Sequence, residues 1–448
     1  MTNSLSNLSH QLLDLAARAG ADQADVIAVD GTSISIDVRA GALEHAERSE
    51  GIDIGLRVIV GQKQACVSSS DTKPDTLAQM AERAIAMANE APDDPYAGLA
   101  SADQLATNRD NNSLELYDPT DEPDPATLQD DAARAEAAAL ASGGISQVQS
   151  ASAGYSHRRI HLAASNGFDA GYARTDRGLS CVAIAGTGTG MERDYDYDSR
   201  TFQADLRSAE DIGRIAAERA VARLNARKPK TGTYPVLFDE RIAGSLIGHL
   251  LQAVNGAAIA RGASWLRDAM GEQVLPAGMD IFEEPHRKRA TSSRLFDAEG
   301  LPTANRKIVA DGTLQGWTLD LANARKLGMD STSNAARGTS SPPSPSLSNI
   351  RLTQGTASQA DLLSQMGTGL LVTSMIGSTI NPNTGDYSRG ASGFWVENGE
   401  ITHAINECTV AGNLRDMLTR IIPANDARMH LSHIVPSLLV EGLTLAGD

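Results

Sequence analysis

Residues 393–405 read Gly-Phe-Trp-Val-Glu-Asn-Gly-Glu-Ile-Thr-His-Ala-Ile, and they leave the backbone little choice. Asn398-Gly399 accepts positive φ at both central turn positions. The runs on either side have strand composition, so an antiparallel hairpin is expected. Upstream, Gly385, Gly390 and Gly393 bracket Asp386, Tyr387 and Arg389. Glycines this dense let one backbone approach another closely. Before them, Met366 to Thr373 is a small, apolar run suited to a buried strand. Together these stretches predict the Gly-rich inner sheet of a C-terminal domain. Its free edge would receive an extended peptide by strand addition.

A chain of 448 residues exceeds what one core usually serves, so more than one domain is expected. The net charge of -17 repels phosphate backbones, which argues against a nucleic-acid partner. Aromatic residues make up only 4% of the chain, so Ala, Gly and Val must fill the core and bring backbones close together. Cys66, Cys181 and Cys408 lie far apart and form no CxxC pair. They read as small buried hydrophobes in a reducing compartment. No run approaches the roughly 20 apolar residues of a spanning helix, and the N-terminus has no basic leader. The expectation is a cytoplasmic protein without a membrane partner.

In chain order, Ser4–Ala19 is an amphipathic helix capped by Gly20. Residues 25–70 read as a meander with turns at Gly31, Gly41, Gly51 and Gly61. Residues 75–90 return to helix, with Leu77, Met80, Ala84 and Met87 on one face. Residues 108–125, rich in Asp, Asn and Pro, read as a linker or surface loop. A helix over 124–141, strands over 148–184 with a turn at Asn166-Gly167, and a helix over 208–226 complete the first half. The second half opens with a strand at 234–238 and a helix over 241–260. Asp311-Gly312 turns a hairpin, and short strands close the chain over 421–446. Residues 331–348, rich in Ser, Thr, Pro and Gly, read as a mobile loop. The fold class is therefore α+β. Residues 1–227 form an N-terminal domain of antiparallel sheet with flanking helices, its sub-regions 1–106 and 126–227 joined by the acidic, Pro-containing linker. Residues 228–448 form a β-rich C-terminal domain.

Chemistry-bearing residues are sparse. His249 shares a helical face with Ile242, Leu246 and Ala253, and reads as a hydrogen-bonded core histidine. Asp194, Asp196 and Asp198 alternate with Tyr195 and Tyr197. A strand puts the carboxylates on one side, and a solvated face is preferred to a calcium site. His430 and His433 read as exposed loop histidines in preference to metal ligands. Asp386 and Arg389 fit either a buried ion pair or a binding role, and Trp395 either a core ring or a groove wall. In the binding case, Arg389 anchors a carboxylate or carbonyl. Gly186 to Gly190 lacks dinucleotide spacing, and no Walker A lysine motif occurs.

Several long strings resemble the TldD/PmbA family, in its PmbA (TldE) branch: MGTGLLVTSMIG (366–377), TGDYSRGASGFWVENGEI (384–401) and AGNLRDM (411–417). TGTYPVLFD (231–239), MGEQVLP (270–276), FDAEG (296–300) and SNGFDAGYART (165–175) match as well, so the likeness covers nearly the whole chain. The resemblance implies a subunit of a zinc metallopeptidase, with an older label of modulator of DNA gyrase. In the TldD branch a helix carries His-Glu-x-x-x-His, and a cysteine near the C-terminus also binds the metal. Here His249 is followed by neither the glutamate nor a second histidine, and no cysteine follows Cys408. The resemblance therefore implies a metal-free subunit with no catalytic residues of its own. It would pair with a TldD-like partner that carries the zinc, and the pair would cleave unfolded or extended peptides, including peptide-antibiotic precursors and unstable small proteins. Without that partner the chain is open to homodimer formation. His249, Asp386, Tyr387, Arg389 and Trp395 are the expected substrate or partner contacts. The competing readings are a self-sufficient metallopeptidase using His249 with His430 and His433, and a non-enzymatic protein-binding modulator.

Overall fold

The computed structural model describes residues 4–448, apart from the side chains of residues 378 and 379. The first half begins with α1 (Leu5–Ala19), started by the Ser4 hydroxyl and ended at Gly20 with φ 107°. Three antiparallel strands follow: β1 (Gln23–Arg39), β2 (Ala42–Val60) and β3 (Lys63–Ser69). Then come α2 (Pro74–Glu90), α3 (Pro125–Leu140), β4 (Ile145–Ala164), β5 (Asp169–Ala185), β6 (Glu192–Arg200) and α4 (Ala209–Ala222). The strands form one sheet in the order β3-β2-β1-β4-β5-β6. Helices α1 and α2 cover one apolar patch around Leu12, Val26, Leu56 and Leu77, and α3 and α4 cover a second around Ile36, Leu128, Leu179 and Ile212. On α2 it is Ala81 and Ala88 that join the buried face, while Met87 is exposed.

Turns occur at Gly41 and Gly61, with φ 73° and 60°. At Gly31 and Gly51 the strands instead run straight through, and the two glycines pair with each other. A Cβ on Gly31 would collide with the His157 carbonyl, so glycine here admits a neighbouring backbone. Nor is 108–125 a simple linker. It makes a short 3-10 turn at Asn111–Leu114, and its Leu114 and Leu116 share a core with Ile27, Phe168, Leu295 and Phe296.

The second half starts with β7 (Gly232–Phe238), α5 (Glu240–Ala253) and α6 (Gly256–Ala260). The single helix expected over 241–260 breaks at Asn255, whose side chain caps α6 by accepting the Ala257 amide and donates to the Pro345 carbonyl at 2.9 Å. Next come β8 (Ile281–Glu283), β9 (Arg306–Ala310), β10 (Thr313–Leu314), α7 (Leu321–Leu327), β11 (Ala335–Ala336), β12 (Ser344–Pro345) and β13 (Ile350–Leu352). Then α8 (Gln359–Met366) leads into β14 (Gly369–Ile380), β15 (Asp386–Glu397) and β16 (Glu400–Asn413). The chain closes with α9 (Leu414–Leu418), β17 (Ile422–Pro423), β18 (His433–Ile434) and β19 (Leu438–Ala446). The main sheet runs β16-β15-β14-β7-β19-β17. Asn398 and Gly399 turn the β15–β16 hairpin at φ 52° and 82°.

Three expectations need correcting. The outer edge of the inner sheet is covered along the second half of β16. Thr409–Ala411 pair with β19, closing the sheet into a barrel, and Arg227 takes the backbone groups of Ala404 and Asn406. The 331–348 segment, expected to be mobile, is pinned as a strap across the N-terminal sheet. The Arg337 side chain is fully buried against Asp25, which also pairs with Arg57, and Thr339 binds Asp53 and fits over Gly55, which has no side chain to obstruct it. Composition predicted too little burial for order, but one inserted charge supplies what apolar side chains do not. Finally, Asp194, Asp196 and Asp198 face inward, at 6%, 2% and 3% exposure, while Tyr195 and Tyr197 face solvent. Arginines from both halves neutralise them: Arg223 and Arg241 on Asp194, Arg207 and Arg219 on Asp196, and Arg200 on Asp198. The period-2 alternation is as expected, and the charged face is the buried one because cations from α4 and α5 meet it.

Candidate functional site

At Phe238 the chain leaves the barrel and turns into α5 through Asp239, whose carboxylate accepts the Arg241 amide at 3.1 Å. Ala243, Leu246, Ile247 and Leu250 then bury one face of α5 in the barrel core with Val236, Leu370 and Val372. His249 is half-buried beside that stripe, its ring edge-on to Tyr387 with centroids 5.9 Å apart. Its Nε2 is buried and finds no hydrogen-bond partner among the described residues, contrary to the hydrogen-bonded core histidine expected. Burial, and then the nearby Arg389 charge, push the His249 pKa down to about 4, so the imidazole is neutral near pH 7.

Tyr387 projects into the core from β15 and donates its hydroxyl to the Met375 sulfur at 3.2 Å. Burial pushes its phenol up to about 12, against the pull of Arg389. Arg389 donates from Nε to the Gly377 carbonyl at 2.7 Å. The structure thus gathers His249, Tyr387 and Arg389 at one end of the barrel. Asp386 is not part of this group. It is exposed and accepts from Thr384 at 2.6 Å and Asn413 at 3.0 Å. No Asp386–Arg389 ion pair forms, because positions three apart on a strand point to opposite faces. Trp395 lies towards the other end of β15, half-buried, edge-on to Tyr234 at 5.0 Å, and donates to Glu397.

The tail histidines also separate. His430 is half-buried with Nε2 3.5 Å from Asp198, whereas His433 is exposed on β18 beside Ile350. Burial would raise the Asp198 carboxyl, but hydrogen bonds from His430, the Arg207 amide and Arg200 outweigh it and hold the group at about 2. The exposed-loop expectation therefore fails for His430, which a buried acid draws inward.

A catalytic zinc requires three protein ligands. The neighbours of His249 are a phenol kept protonated and a guanidinium that repels cations. The Cys408 thiol is pushed up to about 11 by burial and donates to the Ala391 carbonyl at 3.2 Å. Among the described residues, no three His, Cys, Asp or Glu side chains converge as a ligand set. The side chains present do not fit a catalytic zinc.

At this end the two inner strands differ in length. The parallel ladder between β14 and β7 covers only Leu370–Val372, while the ladder between β14 and β15 continues to Ile380. From Thr373 onward β14 therefore has a strand partner on one side only, among the described residues. The mismatch was legible as a short run at 234–238 against a longer one at 369–380. That the two strands are neighbours was not.

Comparison with known proteins agrees with this architecture. The PmbA/TldA metallopeptidase domain 1 matches residues 24–88, the central domain of that family 118–224, and its C-terminal domain 231–447. The chain is 36% identical to the metalloprotease PmbA of Escherichia coli over 97% of its own length and 94% of the relative's. It is also 36% identical to a PmbA homolog of Haemophilus influenzae, over the same shares of each chain. A crystal structure of a modulator of DNA gyrase from Bacteroides thetaiotaomicron superposes with a TM-score of 0.92 at 26% identity, covering 99% of this chain and 100% of that one. TldE from Thermococcus kodakarensis shares the fold, with a TM-score of 0.85 at 19% identity, covering 98% and 99%. Three domain matches in order and identity along nearly the whole length place the chain in one group: it belongs to the PmbA/TldD metallopeptidase family.

Proposed function

We propose that this chain is the non-catalytic, TldE-like subunit of a cytoplasmic two-subunit zinc metallopeptidase. A TldD-like partner brings the zinc and its ligands. This chain supplies walls, interface and the one-sided edge of β14, on which an extended or unfolded peptide is held by main-chain hydrogen bonds. Such holding is indifferent to most of the sequence, which suits substrates such as peptide-antibiotic precursors and unstable small proteins.

The observation that carries the reading is the donor set around α5. A metallopeptidase helix needs imidazoles and a carboxylate turned to one point. Here a lone neutral imidazole faces a phenol and a guanidinium. The test is to purify the chain alone and co-expressed with a TldD-like partner, then measure zinc content and cleavage of an unfolded peptide. The reading expects zinc and cleavage only when both chains are present. Stoichiometric zinc with cleavage by the lone chain would end it.

A further inference from the structure

Beside the β14 edge the fold leaves a cavity of about 310 Å³. It exists because β7 stops at Phe238 and turns into α5 while β14 continues past Val372. Leu371 and Phe394, cross-strand partners, give it an apolar wall. Thr373, the first residue of the one-sided edge, also lines it. Thr373 is 6% exposed, and its hydroxyl finds no hydrogen-bond partner among the described residues. Apart from Ala222, the remaining wall is charged and comes from both halves: Asp194 and Glu218 from the first, Asp239 and Glu240 from the second, with Arg219 and Arg241.

The charges decide what fits. Both arginines are already committed. Arg241 binds Asp194 at 3.0 Å and Asp239 at 3.2 Å, and Arg219 binds Asp196 at 2.7 Å. The positive end of α5 is likewise occupied, since Asp239 caps it. Acceptor capacity remains. Glu240 takes Arg428 on Oε2 at 2.7 Å, and Glu218 takes Arg214 on Oε1 at 2.8 Å, so each keeps a second oxygen without a side-chain donor. Burial raises the Glu240 carboxyl, and an incoming cation would offset that cost. The Thr373 hydroxyl is a further acceptor.

We infer that this cavity is a side-chain pocket for a lysine or arginine of the peptide laid along β14, so that the chain selects extended peptides carrying a basic residue at one register. The inference rests on the strand-adding role proposed above. The edge supplies affinity without sequence preference, and the pocket at its start supplies the preference. The apolar wall covers the aliphatic stem, and Glu240, Glu218 and Thr373 take the charged head.

The test uses the full chain and fluorescein-labelled ten-residue unstructured peptides. A single Lys is moved through each position, with Ala and Glu as replacements, and binding is read by anisotropy. At one register the Lys peptide is expected to bind about tenfold more tightly than the Ala peptide, the scale of a charge-assisted hydrogen bond. In Glu240→Gln the Lys and Ala peptides should bind alike. Thr373→Val, which keeps shape and charge, should weaken the Lys peptide a few-fold with unchanged thermal melting, which separates pocket chemistry from loss of fold. If Ala peptides bind but Lys gives no advantage at any register, or Glu is preferred, the pocket assignment falls and the strand-edge role stands. If no peptide binds at all, both fall.

Discussion

Replacing Asp25 by Asn should release the 331–348 strap. Asp25 sits between two guanidiniums: Arg57, whose side chain is 4% exposed and whose Nε lies 2.7 Å away, and Arg337, at 0% exposure on the strap. The amide keeps the shape and removes the one negative charge that, among the described residues, pairs with both arginines. An uncompensated buried charge of this kind costs about 3–5 kcal/mol. Deprotonation offers no relief, because burial lowers Arg337 only to about 10, still well above neutral pH. Arg337→Met makes the control. It removes one guanidinium, leaves the Asp25–Arg57 pair intact, and should cost less than about 2 kcal/mol, since an apolar side chain in place of a buried ion is often near neutral. Amide exchange on the strap reads the difference directly. The Ala335 amide donates to Asp297 at 3.0 Å and the Ser346 amide to the Asn334 carbonyl at 2.7 Å. At 1.36 kcal/mol per decade, their protection should drop about 10²- to 10⁴-fold in Asp25→Asn. It should fall at most about 30-fold in Arg337→Met. Unchanged strap protection in Asp25→Asn, or equal loss in both variants, would refute the argument that a shared charge holds the strap.

Glu299 gives a pH signature: burial and the neighbouring Asp297 charge push its carboxyl up to about 8. A raised folded-state pKa means its stability contribution is complete below the unfolded value near 4.5 and is lost as pH rises through about 8. Melting temperature should therefore fall between pH 5 and 9 and fall less in Glu299→Gln, and an identical slope in the two proteins would dismiss Glu299 as the cause. Asp196→Asn strips the shared partner from Arg207 at 2.8 Å and Arg219 at 2.7 Å, and should destabilise the chain by about 1.5–3 kcal/mol in urea titration, the scale of hydrogen bonds to a charged group. A loss below about 1 kcal/mol would mean the arginines turn to solvent instead. Gly393→Ala would drive a Cβ into the Leu371 carbonyl of the adjacent strand, and should lower the melting temperature and increase exchange of β14 and β15 amides together. A folded variant with unchanged exchange would show that the sheet can part there at no cost.

The legible parts of this protein are those where a few adjacent residues decide the geometry. Asn398-Gly399 turns its hairpin, Gly20 ends α1, and the alternation of Asp194 to Asp198 fixes which side chains share a face. The errors arise where the same residue type serves two purposes. Gly41 turns the chain, whereas Gly31 lets another strand close in, and nothing local separates them. The same holds at the candidate site. His249, Tyr387 and Arg389 meet because Tyr387 projects from β15 into the core that α5 also fills, while Asp386, next to Tyr387 in sequence, faces solvent.

The sequence by itself determined the α+β class, the turn-bounded strands and the lack of a second histidine or a glutamate following His249, because these depend on residue identity and short spacing alone. Tertiary structure decided which charges are buried and what is ordered. Arg337 orders its strap only because Asp25, more than three hundred positions earlier, lies beneath it, and the Asp194–Asp198 face is interior only because arginines on α4 and α5 are brought against it. Burying a charge is unfavourable until its counter-charge arrives, and the counter-charge comes from a distant part of the chain.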